Sequence, residues 1–171
     1  MELNTKRLQL IPITAEDTPI FHQTNIDPHI KKYLWDNEEI PAAVSEEIIQ
    51  EVGNKFEQEK WGLWKIMNTS DQTYMGYIGF WFFFEEALPQ LVYALLPKFT
   101  GNGYATEAAQ EIIRYAFDTL KFDCIKASMD SPNQDSVKVC DRLHMQLVEE
   151  KMMEGKSILF YRLDNNKSSK A

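Results

Sequence analysis

The chain has 171 residues, 44% hydrophobic and 26% charged, with a formal net charge of −8. That length fits one domain with a sizeable core, and the acidic balance argues against a nucleic-acid partner, which needs clustered Lys and Arg. Cys124 and Cys140 form no C-x-x-C pair, so neither a disulfide framework nor a zinc site is expected. No apolar run reaches the roughly 18 residues of a membrane span, and no basic region followed by an apolar block opens the chain. A cytoplasmic protein with no membrane partner is the expectation.

Arg7 to Ile13 alternates as a first strand, placed at a sheet edge by Pro12. Thr14 has the character of a helix N-cap, with Glu16 and Asp17 in the first turn, and that helix runs to about Ile26. A second helix covers His29 to Trp35 after Pro28. Ser45 is expected to cap a longer one to about Lys60, with Ile48, Ile49, Val52 and Phe56 on one face. His22 and His29 fall on these helices and are read as surface or packing residues. Three strands follow: Trp61–Met67, Thr73–Phe84 and Gln90–Leu96. The last is apolar on both faces and so belongs inside the sheet.

Between Gly103 and Leu120, Ala105, Ala108, Ala109, Ile112, Ile113, Ala116, Phe117 and Leu120 keep helical spacing without a break. Cys124–Met129 is then a strand, and Pro132 and Asn133 open a helix to about Leu143. Met145–Glu150 and Ser157–Leu163 close the chain as a hairpin around Glu154-Gly155. The order β-α-α-α-β-β-β-α-β-α-β-β predicts an α/β (α+β) fold, a mixed, mainly antiparallel twisted sheet flanked by helices. A single domain spans 1–163, and the polar stretch 164–171 is expected to be a disordered tail.

The chemistry centres on Pro97-Lys98-Phe99-Thr100-Gly101-Asn102-Gly103-Tyr104-Ala105, which joins a strand to the long helix. A glycine-rich turn entering a helix N-terminus presents unpaired backbone N–H groups at the positive end of the helix dipole, a cradle for phosphate. The Walker pattern is absent. The dinucleotide pattern also fails, because Thr106 stands where its third glycine belongs. A plain tight turn remains an alternative for the glycines alone.

Tyr93 to Ala108, with Gly101-x-Gly103-Tyr104-Ala105-Thr106-Glu107-Ala108 inside it, resembles the signature of the GNAT superfamily of acyl-CoA N-acyltransferases. It is most similar to the branch containing the ribosomal-protein N-terminal acetyltransferases (the Rim type). Thr5-Lys6-Arg7-Leu8-Gln9-Leu10 resembles that branch's opening, and Asn133-x-x-Ser136 followed by Arg142-Leu143 resembles its last motif. The resemblance implies acetyl-CoA as cosubstrate, no metal, and direct transfer to an amine in a ternary complex. It puts the pyrophosphate on the amides of Thr100, Gly101, Asn102, Gly103, Tyr104, Ala105 and Thr106. The pantetheine arm then runs along the Gln90–Leu96 strand, held at Leu95 and Leu96 where that strand splays from Cys124–Met129. An amide near Leu95 would meet the oxyanion. Asn133 and Ser136 would border the thiol.

Three departures matter. Gln90 replaces a Glu that the branch often carries, and an amide cannot accept the amine's proton; Glu85 and Glu86 in the preceding turn are the candidate substitutes. Cys140 stands where many members have a Tyr, which leaves Ser136 as the candidate hydroxyl for the departing thiolate and Cys140 as a packing residue. His144-Met145 replaces the usual Gly-Phe, with His144 stopping the helix in a left-handed conformation. Trp81-Phe82-Phe83-Phe84 reads first as core, and alternation sends two of the four to the opposite face, to line an acceptor site or a homodimer contact. The acceptor is left open between an amine-bearing small molecule and a protein N-terminus. A CoA-binding protein of this fold without transferase activity is the alternative function.

Overall fold

Why Gln90–Leu95 is apolar on both faces is answered by what lies on each side of it. In the computed structural model, which describes residues 1–167, Leu91 and Leu95 pack with Ala108, Ile112, Val139 and Cys140, while Val92 and Ala94 pack with Ile13, Phe21, Ile49 and Val52. The strand separates two cores. It is β5 of eight: β1 (Leu3–Asn4), β2 (Leu8–Pro12), β3 (Leu63–Asn68), β4 (Tyr74–Trp81), β5 (Gln90–Leu95), β6 (Cys124–Asp130), β7 (Gln146–Met153) and β8 (Lys156–Asp164). They form one sheet in the order β1-β2-β3-β4-β5-β6-β8-β7. Helices α1 (Thr18–Asn25), α2 (Pro28–Leu34) and α3 (Ala42–Glu59) cover one face, and α4 (Tyr104–Asp118) and α5 (Gln134–Arg142) the other. This is the predicted α+β architecture.

The β5–β6 pair is parallel, joined through α4, and every other neighbouring pair is antiparallel. α4 buries Ala108, Ala109, Ile112, Ile113, Tyr115 and Ala116 on one stripe. Each fully buried Ile there contributes about 1.5–3 kcal/mol. The β5–β6 ladder registers only at Gln90↔Lys126, so beyond that rung the two strands diverge.

Four sequence expectations shift. β2 is not the edge strand, because Leu3 and Asn4 pair outside it with Leu10 and Gln9; Pro12 is tolerated as its last residue. Thr14 opens a short 3-10 turn, Ala15–Asp17, its N–H donating to the Asp17 carboxylate at 2.9 Å, and α1 begins only at Thr18. Ser45 is not a cap: α3 starts after Pro41, and Ser45 lies fully buried with its Oγ 2.9 Å from His22 Nδ1. The expected tail does not start at Asp164, since Asp164 ends β8 and buried Asn165 donates through its backbone N–H to Asp123 O at 2.8 Å. Residues 168–171 lie outside the described residues. His144 does hold the expected left-handed conformation, φ 60°, after α5.

Candidate active site

The turn ahead of α4 has the form of an open anion cradle. Gly101 and Gly103 sit at φ +80° and +78°, where an L side chain is strained. A Cβ added at Gly101 would meet nothing within 4 Å, and at Gly103 only Arg7 Nη2 at 3.6 Å, so space above both is free. Glu107 N–H donates to Gly103 O at 3.0 Å as the helical ladder begins, and the amides of the first helical turn before it point out of the helix end. Thr100, expected among the cradle amides, is not free, because its N–H donates to Pro97 O at 3.2 Å. Thr106 Oγ1 is buried with no hydrogen-bond partner. An orphaned buried hydroxyl costs about 1–3 kcal/mol, and a phosphate oxygen in the cradle would satisfy it. Gly101, Gly103, Thr106, Glu107, Gln110 and Arg142 share one hollow there, so α5 brings a cation to the same place, beside a carboxylate that Arg7 already pairs.

The cradle is braced from behind by the N-terminal motif. Thr5 Oγ1, Arg7 N and Arg7 Nε donate to the Glu107 carboxylate at 2.6, 2.9 and 2.7 Å. Arg7 Nη1 donates to Asn102 O at 3.0 Å, and the guanidinium lies 4.3 Å from the centre of the Tyr104 ring. Desolvation pushes the Glu107 carboxyl up, but the Thr5 hydroxyl, the Arg7 amide and the guanidinium outweigh it and hold the group below its ordinary value.

From the cradle a cavity of about 740 Å³ runs through the β5–β6 divergence to the opposite face. Thr100, Gly101, Asn133, Ser136 and Leu95 line it, and at its far mouth so do His29, Tyr33, Phe83 and Phe84. Leu96 N–H donates to Met75 O at 2.9 Å. Bonded and non-bonded pairs alternate in an antiparallel ladder, so the Leu95 amide turns away from β4 into the divergence. Leu96 itself is outside the cavity lining.

Strand alternation assigns chemistry to each side. On the α5 side, Tyr93 O–H donates to Ser136 Oγ at 3.0 Å, and Asn133 caps α5 by accepting from Ser136 N at 3.4 Å. Burial pushes the Tyr93 phenol up to about 12, and burial pushes the Cys140 thiol, packed behind, up to about 12. On the other side Gln90, 1% exposed, accepts from Ser128 Oγ at 2.5 Å and donates to Glu86 Oε2 at 3.2 Å. Lys126 Nζ stands 3.7 Å from the same carboxylate. Glu86 thus touches the site through Gln90, whereas Glu85 is exposed at φ 54° and joins none of the hydrogen bonds among the described residues. Of the aromatic run, Phe83 and Phe84 reach the mouth, Phe84 with its ring 5.7 Å from Phe160; Trp81 and Phe82 pack elsewhere, Phe82 on Trp61. Sequence reasoning missed Tyr93 and Ser128. The first was within reach, because alternation with Leu91 and Leu95 puts it on the α5 face.

The acetyltransferase (GNAT) domain family matches residues 7–146. The chain belongs to the GNAT acetyltransferase family. Among curated relatives of this GNAT acetyltransferase, the uncharacterized N-acetyltransferase YnaD of Bacillus subtilis is 26% identical over 147 residues, covering 85% of this chain and 83% of its own. Among solved structures, the acetyltransferase from Agrobacterium tumefaciens superposes with a TM-score of 0.82 at 21% identity, covering 95% of this chain and 94% of that one. RimL, a ribosomal alpha-N-protein acetyltransferase solved with coenzyme A, superposes with a TM-score of 0.79 at 16% identity, covering 96% and 97%. The two structural likenesses cover nearly the whole chain and show the fold.

Proposed function

We propose that this acetyltransferase transfers an acetyl group from acetyl-CoA to a primary amine by direct attack within a ternary complex. The observation that carries the reading is the continuous cavity from the glycine cradle, through the β5–β6 divergence, to a mouth on the opposite face. The donor and the amine enter from opposite sides and meet beside Leu95 and Ser136.

Acetyl-CoA supplies the activated thioester. The turn from Gly101 to Thr106, with the Thr106 hydroxyl and Arg142, holds its phosphates, and the free edge of β5 holds the pantetheine arm as an added strand. The Leu95 amide donates to the carbonyl oxygen as it gains charge. Ser136 donates its hydroxyl to the departing sulfur, and Asn133 fixes the start of α5 beside it. An α-amino group has a pKa of about 8 and a lysine about 10.4, so the amine must lose a proton before attack. Glu86, held by Gln90 beside the site, accepts that proton through water, since Glu86 itself does not line the cavity. Glu85 has no part in this arrangement.

Asp36, Asp130 and Glu154 line the acceptor side of the cavity; Lys156 pairs with both aspartates, and the acidic excess that remains among the described residues there favours a cationic amine, as a small molecule or a protein N-terminus. A screen of amines with acetyl-CoA, read by release of free thiol, tests the proposal. Binding of CoA without thiol release from any amine would support a CoA-binding protein without transferase activity.

A further inference from the structure

We propose that Tyr93 is a positioning residue for the leaving group: its hydroxyl donates to Ser136 Oγ and thereby directs the Ser136 proton at the coenzyme A sulfur. The inference rests on the acetyl-CoA site proposed above. Its warrant is geometric. Tyr93 on β5 and Ser136 on α5 face each other across the divergence, both line the cavity, and the phenol is the donor at 3.0 Å. A hydroxyl carries one proton and two lone pairs. With one lone pair of Ser136 taken by Tyr93, the serine proton is free for a third partner, and the cavity lies on that side.

Tyr93 does not act as the acid itself. Burial holds its phenol up to about 12. An ordinary thiol has a pKa of about 8.5, so handing the phenol proton to a thiolate is uphill by about 3.5 pH units. Tyr93 therefore stays neutral over the working range. When the C–S bond breaks, sulfur takes the electron pair and remains a hydrogen-bonded thiolate until it takes a proton from water. The two hydroxyls in series stabilise that anion, since each bond in the chain polarises the next. Cys140, its thiol also pushed up to about 12, supplies packing behind the pair and no proton.

The test needs no acceptor amine. Coenzyme A is bound to the wild type, Tyr93→Phe, Ser136→Ala and the double variant. In each, the thiol is titrated by the ultraviolet absorbance of the thiolate, with CoA affinity measured by calorimetry on the same samples. Tyr93→Phe keeps the ring and its packing. Asp130, Asp135, Lys138, Arg142 and Lys156 also line this cavity, but they are common to all four proteins and cancel in the comparison. The bound thiol is expected to titrate higher in Tyr93→Phe than in the wild type, by less than the roughly one pH unit of a hydrogen bond made directly to an anion, because Tyr93 reaches the sulfur only through Ser136. Ser136→Ala should raise it at least as far, and adding Tyr93→Phe to Ser136→Ala should change nothing more. An unshifted thiol in Tyr93→Phe with CoA still bound overturns the inference. So does an equal shift in the Ser136→Ala background, which would place Tyr93 directly on the sulfur. Failure of the wild type to bind CoA overturns the site assignment itself and is seen separately by calorimetry.

Discussion

Replacing Glu107 by Ala removes the acceptor of three of the four hydrogen bonds that tie the turn between β1 and β2 to the glycine cradle and α4; Arg7 Nη1 to Asn102 O is the fourth. Three donors lose their partner: Thr5 Oγ1 at 2.6 Å, Arg7 N at 2.9 Å and Arg7 Nε at 2.7 Å. A hydrogen bond to a charged group is worth about 1.5–3 kcal/mol when buried. The Glu107 side chain is 19% exposed and that of Arg7 40%, so water recovers much of this. Counting about 0.5 kcal/mol for the ion pair and somewhat under 1 for each of the other bonds gives a loss of about 2 kcal/mol. For a chain of this size that lowers Tm by about 4–8 °C. The same change frees Arg7 from its hold on Asn102 O, so CoA affinity should fall by about fivefold, or roughly 1 kcal/mol. Glu107→Gln keeps a carbonyl acceptor and should lose about half as much, roughly 1 kcal/mol. Thermal melts and calorimetric CoA titrations of the three proteins decide the matter. A Glu107→Ala protein that melts with the wild type and binds CoA equally well refutes the bracing argument.

Gly103→Val must place a β-branched residue at φ +78°, where only Arg7 Nη2 comes near an added Cβ, so calorimetry should show CoA affinity lowered at least about tenfold while circular dichroism shows α4 intact. Ser136→Ala should lower kcat by about tenfold with acetyl-CoA affinity nearly unchanged, the pattern of a group acting only in the transition state. Once an acceptor is known, Glu86→Gln should lower kcat/KM by about a hundredfold, whereas Glu85→Gln should match the wild type. Because Glu107 titrates below its ordinary value of 4.5, its stabilisation is full above that value and is lost as pH falls through the depressed one. The Tm gap between wild type and Glu107→Gln should therefore be widest near neutrality and close in acid.

How much of this was legible in the sequence follows from how local each signal is. The cradle and α4 were readable, since glycine conformation and an unbroken apolar stripe act within a few residues. So was the helix stop at His144. Ser45 misled because a serine ahead of an apolar stripe has the pattern of a cap, and only packing against His22 shows it to be an interior partner. The Gln90–Ser128 and Tyr93–Ser136 bonds join residues about forty positions apart, and no local pattern encodes a meeting across the sheet. The opening motif and Glu107 were both visible as resemblances. Their contact, which explains why the chain carries both, became visible only when the fold brought β2 to the start of α4.

The single β5–β6 rung also has a mechanical meaning. Mainchain pairing makes β1–β5 one panel and β6–β8 another, with Gln90↔Lys126 as the one stitch between them. Packing by α4 and α5 carries the rest of the seam, and side-chain packing yields to small displacements more readily than a hydrogen-bonded ladder. A ligand arm laid along the seam restores the missing ladder on the β5 edge, so occupancy should stiffen the panels against each other and raise Tm with ligand concentration by mass action. Hydrogen exchange should register this first at the amides of Tyr93 and Leu95, the seam-facing positions past the stitch, and last in the β2–β3 pairing deep inside one panel.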